Sequence, residues 1–212
     1  IRQWAKRRIV TSSGQGRTGC GDSSLLLSVK WGMSGWPMSG WRIINGLGLR
    51  CCVDDQRLLR LLMAGPQTPA ALAHALGTPL AQVDAALLAL AGAGVVLERA
   101  GAAFFLPYVP DLHDAANIRQ GLAPAAQGLL EGLDVVWQVD STNSELLRRS
   151  PPQHGIAVLL AEQQAAGRGR HGRVWASPLA SHVYLSLACR FHGGLAAMAG
   201  LSLAVGVMVA EA

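Results

Sequence analysis

Two apolar runs, Ile156–Ala161 (IAVLLA) and Val183–Arg190 (VYLSLACR), bracket the stretch Glu162–Trp175, EQQAAGRGRHGRVW. Runs this short, bounded by turn-forming residues, predict buried strands rather than helices. The stretch between them places Arg168, Arg170 and Arg173 among Gly167, Gly169 and Gly172. Anchored at both ends by strands, these charges belong to a folded loop and not to a low-complexity tail. Glycines let backbone amides approach an anion, and arginines grip phosphate or carboxylate through paired bonds. Taken alone, the loop suits a nucleic acid or a small anion, and the rest of the chain must discriminate.

At 212 residues the chain is long enough for one or two domains with cores. Half of its residues are hydrophobic and 15% are charged, which excludes disorder by composition. The longest apolar run, Leu195–Ala210, is short for a membrane span and contains Ser202, so it predicts a buried core helix. Basic residues open the chain without a following signal-peptide pattern. Cys20, Cys51, Cys52 and Cys189 match neither a disulfide framework nor a zinc pattern. The expected compartment is the reducing cytoplasm, with no membrane partner.

The net charge of +5 is unevenly spread. Residues 1–50 hold eight Lys/Arg against one acid, and residues 51–212 hold ten Arg against twelve acids. Lys6 and Lys30 are the only lysines, and Trp4, Trp31, Trp36 and Trp41 lie in the same opening stretch. No helical or strand period is sustained there. The chain also opens on Ile1, and its composition changes near Val53. The expectation for residues 1–52 is a disordered, dispensable leader that is not native protein, produced by a mistaken upstream start. The competing reading is a basic arm for nucleic acid.

Residues 53–107 read as a winged helix-turn-helix. DDQRLLRLLMAG has helical spacing and stops at Gly65. Thr68, Pro69 and Gly77 mark the start and stop of a second helix. Thr78 and Pro79 repeat the start signal for a third, whose apolar face is expected from Leu80, Val83, Leu87 and Leu90. Two helices across so short a turn form a helix-turn-helix, and VVLERAGAAFFLP predicts a β-hairpin wing. DNA binding is the obvious use. Against it, the presumed recognition helix turns Thr78, Ala81, Gln82 and Ala85 outward, and Asp84 is its only charge. Acids outnumber the four arginines of residues 54–122. With little phosphate neutralisation available, operator binding is expected to be weak.

Residues 108–132 predict a helical connector punctuated by glycine and proline. A strand (Asp134–Val139), a capped short helix (STNSELLRRS), the IAVLLA strand, the arginine loop and the VYLSLACR strand follow. The fold class is α+β: a winged helix-turn-helix, then a mixed α/β domain over residues 133–212. At the strand-to-helix junction, Asp140–Asn143 (DSTN) sets small donors and acceptors beside a helix N-terminus. That arrangement is an ordinary N-cap or a seat for a polar or anionic group.

In order and spacing, DSTN, a strand, EQQAAGRGRHGRVW and VYLSL together resemble the biotin–protein ligases. With the preceding winged helix, residues 54–212 resemble the bacterial bifunctional type, both ligase and biotin-operon repressor. Lipoate and octanoyl ligases share the fold class, but the GRGRxGRxW loop marks the biotin branch. The resemblance implies that biotin and ATP react, with Mg²⁺ assisting, to give biotinyl-5′-adenylate. The biotinyl group then passes to a lysine of the biotin carboxyl carrier protein of acetyl-CoA carboxylase. It implies a biotin site at Ser141, Thr142, Asn143, Gln164, Arg168, Gly169 and Arg170. Arg168 and Arg170 carry the catalytic charge, and Arg173 and Trp175 support the nucleotide. His171 receives no role, and no protein metal ligands are assigned. The family's later KWPND-like segment with its lysine has no match, since residues 51–212 hold no lysine. The expectation is therefore a ligase cut short inside its catalytic domain, inactive as it stands, and a homodimer when intact.

Overall fold

The computed structural model describes residues 10–17, 23–32, 53–167, 169, 175–191 and 200–211. The chain divides into two units, one of residues 1–35, 112–177 and 182–212 and the other of residues 36–111 and 178–181.

The smaller unit holds three helices and a hairpin. Helix α1 (Asp55–Met63) begins where Asp54 Oδ1 accepts the amides of Gln56 at 3.0 Å and Arg57 at 3.2 Å. Helix α2 (Pro69–Leu76) is capped by Thr68 Oγ1, which accepts the Ala71 amide at 3.2 Å. It stops at Gly77, whose φ of 63° is the left-handed conformation that only glycine adopts without cost. Helix α3 (Leu80–Gly92) follows. Strands Glu98–Ala100 (β3) and Ala103–Phe105 (β4) pair antiparallel, and Gln67 bridges to Phe104 beside them. Leu58, Leu59, Leu62, Leu72, Val83, Ala86, Leu87 and Leu90 are buried.

Two details differ from expectation. Thr78 does not cap α3: its Oγ1 donates to Gln82 Oε1 at 2.7 Å, and the N-cap is Pro79 with no side-chain bond. Proline already supplies φ near −60° and no N–H, so the helix starts without the threonine. Leu80 also leaves the apolar face, remaining 49% exposed while Ala86 joins Val83, Leu87 and Leu90 inside. The buried stripe follows i, i+3, i+4, i+7 from Val83, and Leu80 lies at the helix end where that stripe runs out.

The larger unit is built on a five-stranded sheet. Its strands are β1 (Val10–Arg17), β2 (Ser23–Gly32), β5 (Leu130–Val139), β6 (Ile156–Gln164) and β7 (His182–Phe191), in the order β1-β2-β7-β6-β5. Only β5 and β6 run parallel. The opening stretch, expected to be without regular structure, contributes β1 and β2. Ser23–Gly32 carries Leu25, Leu26, Leu27 and Val29 between turn-forming residues, and its backbone pairs with all of β7. Strand β5 begins at Leu130, before the expected Asp134, through an irregular pairing with Ile156.

Helices α4 (Ala115–Gly121) and α5 (Pro124–Leu129) fill the connector, with Asp114 capping α4. Helix α6 (Thr142–Arg148) makes the crossover between the parallel strands. Such strands need a crossover connection, and α6 buries Leu146 against Leu159 and Ala188, with Val136 and Ala157 alongside. Helix α7 (Leu201–Glu211) departs from the expected buried helix: Leu203, Val207 and Met208 are 75%, 55% and 59% exposed. Among the described residues, none covers that face.

Candidate functional site

Parallel pairing brings the C-terminal ends of β5 and β6 side by side. The ladder runs past both strands, with the Ala165 amide donating to Val139 O and the Ala166 amide to Asp140 O, each at 2.8 Å. DSTN at the end of β5 therefore lies against the entrance of the arginine loop at the end of β6. Residues far apart in sequence meet here because both segments leave the same edge of one sheet.

A buried polar junction occupies this corner. Thr142 is fully buried, and Ser141, Gln164 and Ser186 are 7%, 4% and 0% exposed. Gln164 Oε1 accepts the Thr142 amide at 2.9 Å and its hydroxyl at 3.3 Å. The Thr142 and Ser186 hydroxyls lie 2.8 Å apart. Since Gln164 Oε1 is only an acceptor, the Thr142 proton is committed to it, and the Ser186 hydroxyl is left to donate to Thr142. The Gln164 amide nitrogen of the backbone donates to Ser177 Oγ at 2.8 Å. Ser177 also bonds Tyr184, whose phenol is pushed up to about 12 by burial.

This network orients the Gln164 carboxamide. Its oxygen faces Thr142, and its Nε2 would stand 3.4 Å from a Cβ placed on Gly167. Gln164 Nε2 and Asn143 Oδ1 are buried without a hydrogen-bond partner among the described residues. Leaving such groups unmatched costs about 1–3 kcal/mol each, so the corner offers one donor and one acceptor to a polar ligand. Ser141 Oγ caps α6 through a long bond, accepting the Ser144 amide at 3.5 Å. Gly167 packs under Trp175, where an added Cβ would approach Cδ1 to 2.7 Å. The indole thus closes the base of the loop.

The structure brings Thr142 and its neighbours Ser141 and Asn143 beside Gln164, and half-buried Gly169 and Trp175 belong to the adjoining loop. Thr142 differs in character, since it is sealed inside and positions Gln164. Arg168, Arg170, His171 and Arg173 lie outside the described residues. Ser177, Tyr184 and Ser186 escaped the sequence reading, although Tyr184, Ser186 and Ala188 share one face of β7 by their spacing. Among the described residues no group of three or more His, Cys, Asp or Glu is placed to hold a metal. Nor is any single helix among them long and apolar enough to cross a membrane.

The buried polar corner of Thr142, Gln164 and Ser186 thus sits in a mixed α/β domain, where the parallel strands β5 and β6 end. Residues 135–211 match the Biotin/lipoate A/B protein ligase family. That segment belongs to the family, and the relatives it is similar to are biotin–protein ligases. It is 36% identical over 141 residues to the bifunctional ligase/repressor BirA of Salmonella typhimurium, covering 66% of this chain and 42% of that protein. To BirA of Escherichia coli it is 40% identical over 103 residues, 49% of this chain and 31% of the relative. To the biotin–[acetyl-CoA-carboxylase] ligase of Mycobacterium tuberculosis it is 42% identical over 101 residues, 46% and 38% of the two chains. The chain thus spans less than half the length of each of these relatives.

Proposed function

We propose that the larger unit is the biotin- and ATP-binding part of a biotin–protein ligase acting in the cytoplasm. The observation that carries this reading is the corner of Thr142, Gln164 and Ser186, with the entrance of the arginine-rich segment at Ala165–Ala166 beside it. A cyclic urea presents both N–H donors and a carbonyl acceptor, which is the complement of Gln164 Nε2, Asn143 Oδ1 and the loosely held Ser141 hydroxyl. Biotin joins such a ring to a carboxylate, and the loop's arginines and glycines suit that carboxylate and a phosphate.

On this reading Ser141, Asn143 and Gln164 hold the ring, with Thr142 fixing Gln164. Arg168, Gly169 and Arg170 hold the carboxylate and the α-phosphate, and Arg173 and Trp175 support the nucleotide. A carboxylate oxygen of biotin attacks the α-phosphorus of ATP, and the bond to pyrophosphate breaks. Negative charge gathers on phosphate as this happens, and preorganised arginines and backbone amides stabilise it. A lysine amine of the carboxyl carrier protein then attacks the mixed anhydride, and AMP leaves. Closure over the adenylate keeps water from it.

Calorimetric titration with biotin and biotin-dependent ATP–pyrophosphate exchange test the reading. Biotin binding in preference to lipoate is expected, and equal or stronger lipoate binding favours a lipoate or octanoyl ligase instead. Transfer to the carrier is expected to be slight, because the only lysines are Lys6 and Lys30. Efficient carrier biotinylation by this chain counts against the need for a lysine of the family's KWPND-like segment.

A biotin-responsive repressor is the second reading, favoured by the three helices and hairpin of the smaller unit as a winged helix-turn-helix and by the ligase/repressor names of two relatives.

A further inference from the structure

The arginine at the far end of α6 reaches back to the residue that precedes its start. Arg148 Nη1 and Nη2 donate to Asp140 Oδ2 and Oδ1, each at 2.8 Å, in a two-bond fork. On the way the same guanidinium donates to Glu145 Oε2 at 2.7 Å from Nη2 and 3.2 Å from Nε. Arg149 holds Glu145 from the other side at 3.1 Å and ties it to Asp134 of β5 at 2.5 Å. A chain of charges therefore runs along α6 and back to the strand before it.

The strap has a reason to exist. A seven-residue helix is marginal by itself, and its Ser141 cap bond is stretched to 3.5 Å. The first turn, which carries Ser141, Thr142 and Asn143, thus has a weak local cap. Asp140 also accepts the Ala166 amide through its backbone, so whatever holds Asp140 holds the loop entrance as well.

We propose that Arg148 is a positioning residue of the ligand site: by gripping Asp140 it sets the turn of Ser141–Asn143, and with it where those side chains stand for a ligand. The proposal rests on the biotin-site reading for its ligand. The arginine's electrostatic partners agree, since the fork holds the Asp140 carboxyl far below the usual carboxylate range. The pair is exposed, with side chains 54% and 44% accessible, so it adds little to global stability. Its contribution is to local order.

The test uses the whole chain with Arg148→Met, Arg148→Lys, Asp140→Asn and the Met/Asn double variant. Amide exchange is read at residues 142–145, along with the unfolding midpoint and biotin affinity. Arg148→Met is expected to speed exchange in that turn and weaken biotin about two- to fivefold, the scale of one exposed ion pair, without moving the midpoint appreciably. Arg148→Lys should recover part of the loss, because lysine cannot form the fork. The double variant should be no worse than either single one. Wild-type exchange and affinity in Arg148→Met overturns the proposal. So does an affinity loss that merely tracks a lowered midpoint. If the wild-type chain binds no biotin, the proposed function fails, and the exchange measurement still decides whether the strap orders the turn.

Discussion

Arg168 follows Gly167 directly, at the point where the reading of the loop places developing phosphate charge. Arg168→Ala should cripple adenylate formation or retention more than binding of free biotin. Loss of one charge-assisted contact of this kind costs about 2–4 kcal/mol of transition-state stabilisation. Pyrophosphate exchange at the wild-type rate, with the adenylate retained, would remove the loop from the mechanism. Gly167 makes a second demand at the same scale. A methyl group there meets the Trp175 ring at 2.7 Å, and the indole is half-buried. Overpacking of this type costs about 1–3 kcal/mol, so Gly167→Ala should lower the thermal midpoint and disturb the base of the loop. An unchanged midpoint and unchanged biotin titration would mean that the indole swings away freely.

At the scale of elements, two threonines that look alike in sequence do different work. Thr68 caps α2, whereas Thr78 spends its hydroxyl on the Gln82 side chain and leaves α3 to Pro79. Thr68→Ala should cost about 1 kcal/mol, the usual value for a lost N-cap. Thr78→Ala should cost clearly less, because no backbone amide loses its acceptor. Paired denaturant titrations decide this, and equal losses would contradict the capping geometry. The difference was invisible in sequence, where Thr-Pro opens both helices. The proline at Pro79 occupies the cap position itself, and only its backbone conformation reveals that.

For the molecule as a whole, the smaller unit is expected to bind DNA weakly. Ala81, Asp84, Ala85 and Leu88 are exposed along α3, and they offer no cation. Two of the nearby arginines are occupied: Arg57 donates to Ala75 O at 2.9 Å, and Arg99 lies 5.3 Å from the Phe104 ring centroid. Base readout and phosphate neutralisation both need donors that this surface lacks. A fluorescence titration at moderate salt should show no sequence-selective retention, and nanomolar selective binding by the chain would overturn the expectation.

Sequence alone determined the parts that depend on local chemistry. The helix starts at Thr68 and Ser141, the stop at Gly77, the hairpin around Gly101 and the apolar strands β6 and β7 follow from capping, turn and periodicity rules acting over a few residues. DSTN and Gln164 were legible for the same reason, as motifs with a spacing. Tertiary structure decided what those residues do to one another. Only the parallel pairing of β5 with β6 sets Thr142 beside Gln164, and only the register of β7 brings Ser186 beneath them. It also turned Thr142 inward, left Leu80 and α7 exposed, paired the opening strands with β7 and let Arg148 reach Asp140. The strand pairings and the inward turn of Thr142 depend on contacts between segments distant along the chain, and the Arg148–Asp140 fork depends on the way α6 folds back over the turn that starts it; no pattern rule encodes them.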